Sequence, residues 1–303
     1  MVKHIIESQQ FTPEFLMKMF DRAEQLRKNP EKTLDGKILT TLFYEPSTRT
    51  RLSFEAAMLK MGGSVMGTEN AKEFSSVAKG ESLEDSIRVI SAYSDVIVMR
   101  HSDEGSAKAA SIVSSVPIIN GGDGKGQHPT QALLDMYTLH REFGRLENLK
   151  VAMVGDLSSG RTVRSLCYLL GKFKGSEIIF VSPDNLKMRI DIKEYLTEHK
   201  VHFREENDLE KVLPYADAVY MTRIQKERIS SQDYEKAKGK FVINEANLAK
   251  IRPNAIVMHP LPHVEEISLP VEVENKDPRV AYFRQAENGL YVRMALLEEV
   301  TKA

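Results

Sequence analysis

Lys37-Ile38-Leu39-Thr40-Thr41-Leu42-Phe43-Tyr44-Glu45-Pro46-Ser47-Thr48-Arg49-Thr50-Arg51-Leu52-Ser53-Phe54-Glu55-Ala56-Ala57-Met58 reads as strand, break and helix. The apolar run over 37–43 has the length and composition of a buried strand. Glu45-Pro46 stops it, because proline has no N–H for a ladder. Ser47 and Thr48 then supply cap chemistry, and a helix over 48–61 runs to Gly62-Gly63.

The same grammar continues in both directions. Upstream, Thr12-Pro13-Glu14 caps a helix whose apolar face is Phe15, Leu16, Met19, Phe20, Ala23 and Leu26. Downstream, Ser82 with Asp85 resembles a capping box, and strands over 96–99 and 116–119 flank a helix over 107–113. A helix over 130–143 follows, then strands over 150–154, 178–181, 201–203, 218–221 and 255–258. Helices over 161–173, 191–198 and 209–215 lie between them, and a helix over 290–300 closes the chain. Short strands alternating with helices imply parallel sheets, so the fold class is α/β. The strands form two series, each a parallel sheet flanked by helices, with the 130–143 helix as a bridge.

Composition is consistent with this. The 303 residues are 42% hydrophobic and 28% charged, which suits about two domains with real cores. Lys plus Arg is 42 and Asp plus Glu 43, a net charge of -1. There is no basic tail and no like-charge block, so neither nucleic acid nor a charged membrane surface is indicated as a partner. The one cysteine, Cys167, sits among Val163, Leu166, Leu169 and Leu170 and reads as a buried small hydrophobe. A signal-peptide run and a membrane-length apolar stretch are both missing. The expected location is the cytoplasm.

Six segments carry chemistry, and most follow strands, where ligands of such sheets bind. In Ser47-Thr48-Arg49-Thr50-Arg51, hydroxyls and two arginines crowd a helix N-terminus. Cations there oppose the helix dipole, so an anion is expected to compensate them; a plain cap with solvated arginines is the alternative. Arg100 ends the 96–99 strand. Gly121-Gly122-Asp123-Gly124-Lys125-Gly126-Gln127-His128-Pro129-Thr130-Gln131 offers close backbone approach, a histidine donor and an amide reader. Gly155-Asp156-Leu157-Ser158-Ser159-Gly160-Arg161-Thr162 is one residue away from a Walker A pattern, with Arg161 in place of its lysine, and reads as an anion contact. Arg223 and Gln225 follow the 218–221 strand. His259-Pro260-Leu261-Pro262-His263 is a stiff loop able to present backbone carbonyls, with metal binding by its histidines as a competing idea.

Taken together, these segments resemble the aspartate/ornithine carbamoyltransferase family along nearly the whole chain. Ser47-Thr48-Arg49-Thr50, Met99-Arg100-His101 and His128-Pro129-Thr130-Gln131 are similar to its carbamoyl phosphate segments. Met221-Thr222-Arg223-Ile224-Gln225-Lys226-Glu227-Arg228 resembles the aspartate branch, and Met258-His259-Pro260-Leu261-Pro262 lacks the cysteine of the ornithine branch. Two arginines and a glutamine suit a dicarboxylate; the ammonium of ornithine would want an acidic partner.

The resemblance implies a carbamoyl phosphate domain, 1–130 completed by a returning C-terminal helix at 285–303, and an aspartate domain at 145–280. Ser47, Thr48, Arg49, Thr50, Lys79 and Arg100 would hold the phosphate. His128, with Thr50 and Arg100, would polarise the carbamoyl oxygen, and Gln131 and the Leu261-Pro262 carbonyl region would meet the carbamoyl group. Arg161, Arg223 and Gln225 would hold aspartate. Ser75 and Lys79 resemble a loop that family members insert into a neighbouring subunit's site, so a homotrimer with shared sites lying between the domains is implied. So are pyrimidine biosynthesis, no metal or organic cofactor, and a separate regulatory chain as a possible partner. Where the family often has arginine after H-P-L-P, this chain has His263. A carbamoyltransferase for another amino acid such as ornithine, and a non-catalytic anion-binding paralogue, are the alternatives.

Overall fold

The computed structural model describes residues 4–74, 79–224 and 239–302, and not the side chains of Lys72 and Phe74. The chain divides into two compact units, Met1–Tyr137 with Glu287–Ala303, and Thr138–Ala286.

In the first unit, β1 (Ile38–Phe43), β2 (Ser64–Glu69), β3 (Val96–His101) and β4 (Ile118–Asp123) form a parallel sheet in the order β2-β1-β3-β4. Helix α1 (Pro13–Lys28) precedes the strands, and α2 (Thr48–Lys60), α3 (Ala71–Phe74), α4 (Leu83–Ser91), α5 (Ser106–Val113) and α6 (Pro129–Phe143) connect them or follow them. Two helix starts follow the sequence reading: Thr12 Oγ1 accepts from Phe15 N at 3.1 Å and Ser82 Oγ from Asp85 N at 3.1 Å. Each such cap stabilises its helix by about 1 kcal/mol.

In the second unit, β5 (Lys150–Val154), β6 (Glu177–Val181), β7 (His202–Glu206), β8 (Ala218–Met221) and β10 (Ile256–Met258) form a parallel sheet in the order β10-β8-β5-β6-β7. A second, two-stranded parallel sheet pairs β9 (Ile243–Asn244) with β11 (Ile267–Ser268). The helices are α7 (Arg161–Leu170), α8 (Ile190–Glu198), α9 (Leu209–Val212), α10 (Glu245–Leu248) and α11 (Val271–Lys276), before the closing α12 (Tyr282–Thr301). Cys167 is buried on α7, and its thiol lies 3.4 Å from Met153 Sδ. Among the described residues no helix is long and apolar enough to cross a membrane.

The structure adds β9, β11, α10 and α11, which the sequence reading does not place, and differs from it elsewhere as well. Strand β2 was not expected, because Ser64–Glu69 has no apolar run; as an edge strand it buries none of its residues fully. Gly67 lets it approach β1, since a Cβ there would stand 2.2 Å from Thr41 Oγ1. Strand β4 runs on through Gly121 and Gly122 to Asp123. Helix α12 starts at Tyr282 rather than near 290, passing through Asn288-Gly289, a pair that reads as a break.

Candidate active site

Parallel pairing of β1 and β3 sets Phe43 beside Arg100, and Tyr44 N donates to Arg100 O at 2.8 Å. The loop after β1 therefore runs alongside the Arg100 side chain. Ser47 occupies the N-cap position of α2 but makes no capping bond with its side chain. Instead its Oγ accepts from Arg100 Nη1 at 3.3 Å, and its backbone N donates to Glu69 Oε1 at 3.3 Å. The first-turn N–H groups of α2 thus gain no side-chain cap from Ser47.

The two first-turn arginines part company. Arg51 is compensated within the chain, by Glu55 at 2.8 Å and Glu69 at 2.8 Å. Arg49 is exposed and has no carboxylate partner among the described residues. Burial lowers the Arg49 pKa from its ordinary value. Burial also lowers that of Arg100; Glu45, 3.4 Å away, opposes the shift, and the charge of Arg49 adds to it. A guanidinium whose charge is disfavoured by a second one, beside a helix N-terminus, is chemistry suited to an anion.

Strand β4 delivers the Gly-rich loop next to β3, with His101 opposite Asp123. Asp123 organises that loop: its carboxylate accepts from Gln127 N at 2.8 Å, Asn120 Nδ2 at 3.1 Å and Gly105 N at 3.0 Å. His128 is then buried, with Nε2 3.4 Å from Thr50 Oγ1 and Nδ1 3.4 Å from Thr130 Oγ1. Gln131, one turn into α6, donates through Nε2 to the fully buried Asp135 at 2.9 Å. Ser47, Thr48, Arg49, Thr50, Arg100, His128 and Gln131 thus all belong to the segments after β1, β3 and β4, which are neighbouring strands.

In the second unit β8 lies between β5 and β10, so three loops leave one sheet edge side by side. After β5, Gly155 adopts φ 116°, and a Cβ there would stand 2.2 Å from Thr222 O. Asp156 is buried and accepts from Ser158 N at 3.1 Å and Ser159 N at 3.0 Å, which shapes the turn into α7. Arg161 is the first residue of α7 and half-buried. Arg223 follows β8 and is also half-buried. Gln225 and Ser75 lie outside the described residues; Lys79 is described and exposed.

After β10, the imidazole of His259 is buried. Its Nδ1 accepts from Leu261 N at 2.7 Å and its Nε2 meets Glu266 Oε1 at 2.9 Å. Both ring nitrogens are engaged, and His263 pairs with Glu274 at 3.2 Å. In this arrangement each histidine is engaged by a different glutamate, Glu266 for His259 and Glu274 for His263. Leu261 has φ 57°, its bond to Pro262 is cis, and Pro262 is exposed.

Sequence reading missed Glu45, Asp123, Asp135 and Glu266, because a carboxylate that organises a loop has no motif of its own. It also missed Arg293, which sits in an apolar helical pattern with no local sign of a partner.

Each unit thus carries arginine-bearing loops at the carboxyl edge of its own parallel sheet, chemistry suited to phosphate or carboxylate groups. The family model "Aspartate/ornithine carbamoyltransferase, carbamoyl-P binding domain" matches residues 3–141. The "Asp/Orn binding domain" model of the same family matches residues 147–300. The chain is 54% identical over 301 residues to aspartate carbamoyltransferase 3, chloroplastic, of Pisum sativum, covering 97% of this chain and 76% of that one. It is 48% identical over 305 residues to the aspartate carbamoyltransferase catalytic subunit of Methanocaldococcus jannaschii, covering 99% and 98%. The solved catalytic subunit from M. jannaschii superposes with a TM-score of 0.92 at 48% identity, covering 99% and 98%. Aspartate transcarbamoylase from Trypanosoma cruzi, solved in complex with carbamoyl phosphate and aspartate, gives 0.91 at 38% identity, covering 98% and 94%. The chain belongs to the aspartate/ornithine carbamoyltransferase family.

Proposed function

We propose that this chain transfers the carbamoyl group of carbamoyl phosphate to the α-amine of L-aspartate, giving N-carbamoyl-L-aspartate and phosphate for pyrimidine biosynthesis. The observation that carries the reading is the Arg49–Arg100 pair at the start of α2, with Ser47 on Arg100 and Thr50 on His128. Phosphate binds Ser47, the Thr48 N–H, Arg49, Thr50 and Arg100. His128, Thr50 and Arg100 meet the carbamoyl oxygen as negative charge develops on it. Gln131 and the Leu261-Pro262 backbone receive the carbamoyl amide. Arg161, Arg223 and Gln225 hold the two carboxylates of aspartate. The neutral amine attacks the carbonyl carbon, the bond from that carbon to the phosphate oxygen breaks, and the leaving phosphate takes up the proton released by the amine and departs as the hydrogen phosphate dianion. The leaving group is already activated, so positioning and electrostatics carry the rate and no cofactor is called for.

The functional domains are 1–130 with 285–303 for carbamoyl phosphate and 145–280 for aspartate. The working form is a cytoplasmic homotrimer in which Ser75 and Lys79 serve a neighbouring subunit's site. Leu52 and Leu59, seven residues apart on α2 and 55% and 59% exposed, support a self-association face. A regulatory chain is a further partner to seek by sizing the protein alone and in extract. The deciding assay is phosphate release from carbamoyl phosphate: brisk with L-aspartate and near background with L-ornithine. Equal or reversed rates would sink the acceptor assignment.

A further inference from the structure

After β10 the chain makes a tight departure whose backbone is supported at Leu261 N by a buried histidine. Leu261 lies at φ 57°, a region that a leucine rarely adopts. Its side chain packs against the apolar core of the second unit, so its backbone is what remains for a ligand. Such a conformation persists only where the surroundings over-determine it. Here they do so through His259. The Leu261 N–H is a donor, so His259 Nδ1 at 2.7 Å must be the acceptor and carries no proton. The ring proton is then on Nε2 and is donated to Glu266 Oε1 at 2.9 Å.

The two residues around this contact are tied down in turn. Glu266 Oε1 also accepts from Val264 N at 3.1 Å. His259 N donates to Gln285 Oε1 on α12 at 2.8 Å. His259 is 2% and Glu266 6% exposed, so water does not compete for either. Burial pushes the Glu266 carboxyl up, but the His259 and backbone hydrogen bonds outweigh it and hold it below its ordinary value. An ionised Glu266 keeps the His259 proton on Nε2, and that tautomer keeps Nδ1 open to Leu261.

We infer that His259 and Glu266 are positioning residues for carbamoyl transfer: the buried pair fixes the tautomer that holds the Leu261 peptide, and so aims the Leu261 carbonyl at the reacting groups. This rests on the proposed role of the Leu261 backbone. Neither side chain touches substrate. Their effect is on kcat, because a carbonyl displaced by a fraction of an ångström loses a contact that matters most in the transition state.

The test uses isosteres in the full chain. In His259→Asn, Oδ1 falls near the place of Nδ1 and accepts from Leu261 N–H, while the link to Glu266 is lost. In His259→Gln the amide reaches toward Glu266 and leaves the Leu261 N–H without an acceptor. Wild type, both variants and Glu266→Gln are assayed for kcat, KM for each substrate, carbamoyl phosphate Kd and Tm. The expected result is a kcat loss of about tenfold to a hundredfold in His259→Gln and of no more than about threefold in His259→Asn, with carbamoyl phosphate Kd little changed in both. Glu266→Gln falls between them. If the Asn and Gln variants lose kcat equally, or lose only Tm, the pair is a structural one and the inference is overturned. A wild-type enzyme that releases no phosphate with L-aspartate is a different failure, that of the proposed function.

Discussion

Arg293 Nη1 on α12 donates to Ser53 Oγ on α2 at 2.6 Å, and Ser53 Oγ in turn donates to the backbone carbonyls of Arg49 at 2.6 Å and Thr50 at 3.0 Å. The guanidinium is 3% exposed, lies over the Phe54 ring at 5.1 Å and feels the charge of buried Asp135. Burial lowers its pKa to about 10, which Asp135 partly opposes. Room for it comes from Gly289, where a Cβ would stand 2.7 Å from Nη1. Truncation removes the buried hydrogen bond to Ser53 and the cover over Phe54 and empties the space the guanidinium fills, so Arg293→Ala should cost about 2–4 kcal/mol. Thermal unfolding measures the loss, and carbamoyl phosphate Kd should weaken because the first turn of α2 loosens. A variant with wild-type Tm would show that the Arg293–Ser53 contact does not hold α2 in place.

His128→Ala should lower kcat by about 10²–10³, the usual scale for one oxyanion donor, with substrate affinity changing less. Steady-state kinetics with both substrates varied checks it. Unchanged kcat would reduce His128 to a residue that orders Thr50 and Thr130.

Arg223→Ala should raise the KM for L-aspartate and leave carbamoyl phosphate Kd close to wild type. Binding measured by calorimetry separates the two subsites. Lost carbamoyl phosphate affinity would move Arg223 to the phosphate half.

Lys79 tests the proposal that neighbouring subunits share a site. Oligomers of Lys79→Ala and of His128→Ala, the proposed trimers, each of low activity, are dissociated, mixed and reassociated. Activity should return well above either parent, because some interfaces then carry both intact residues. Mixed trimers confirmed by mass with no regained activity would confine Lys79 to its own chain's site.

Glu298 gives a pH signature. Burial pushes its carboxyl up, but the Arg22 guanidinium at 2.6 Å and the Lys302 ammonium at 2.9 Å hold it down to about 2, against 4.5 unperturbed. The folded pKa is depressed, so the stabilisation is complete above the unfolded value and is lost as pH falls through the folded one. The Tm gap between wild type and Glu298→Gln should be full at neutral pH and shrink from about pH 4.5 toward pH 2. A gap independent of pH would mean that packing, not charge, is what Glu298 supplies.

By itself the sequence determined the α/β class, the parallel strands and the loops that carry chemistry. Those depend on local period and on turn residues: the apolar run over 37–43, Pro46, the glycines from Gly121, the prolines around Leu261. Local chemistry also put Ser47-Thr48-Arg49-Thr50 at a helix N-terminus, where cations ask for an anion. Tertiary structure alone decided which loops meet. Strand order set β1 beside β3 and β8 between β5 and β10, bringing Arg100 to Ser47 and making neighbours of the Arg161, Arg223 and Leu261 loops. The edge strand β2 had no apolar signal because it buries so little. Helix α12 continues through Asn288-Gly289, and glycine stands at 289 because a Cβ there would meet Arg293 Nη1 at 2.7 Å. Only tertiary structure could pair Arg293 with Ser53, 240 residues away in sequence, or His259 with Glu266 across a turn. A buried polar contact is a property of two positions and the space between them, and no window on one segment contains it.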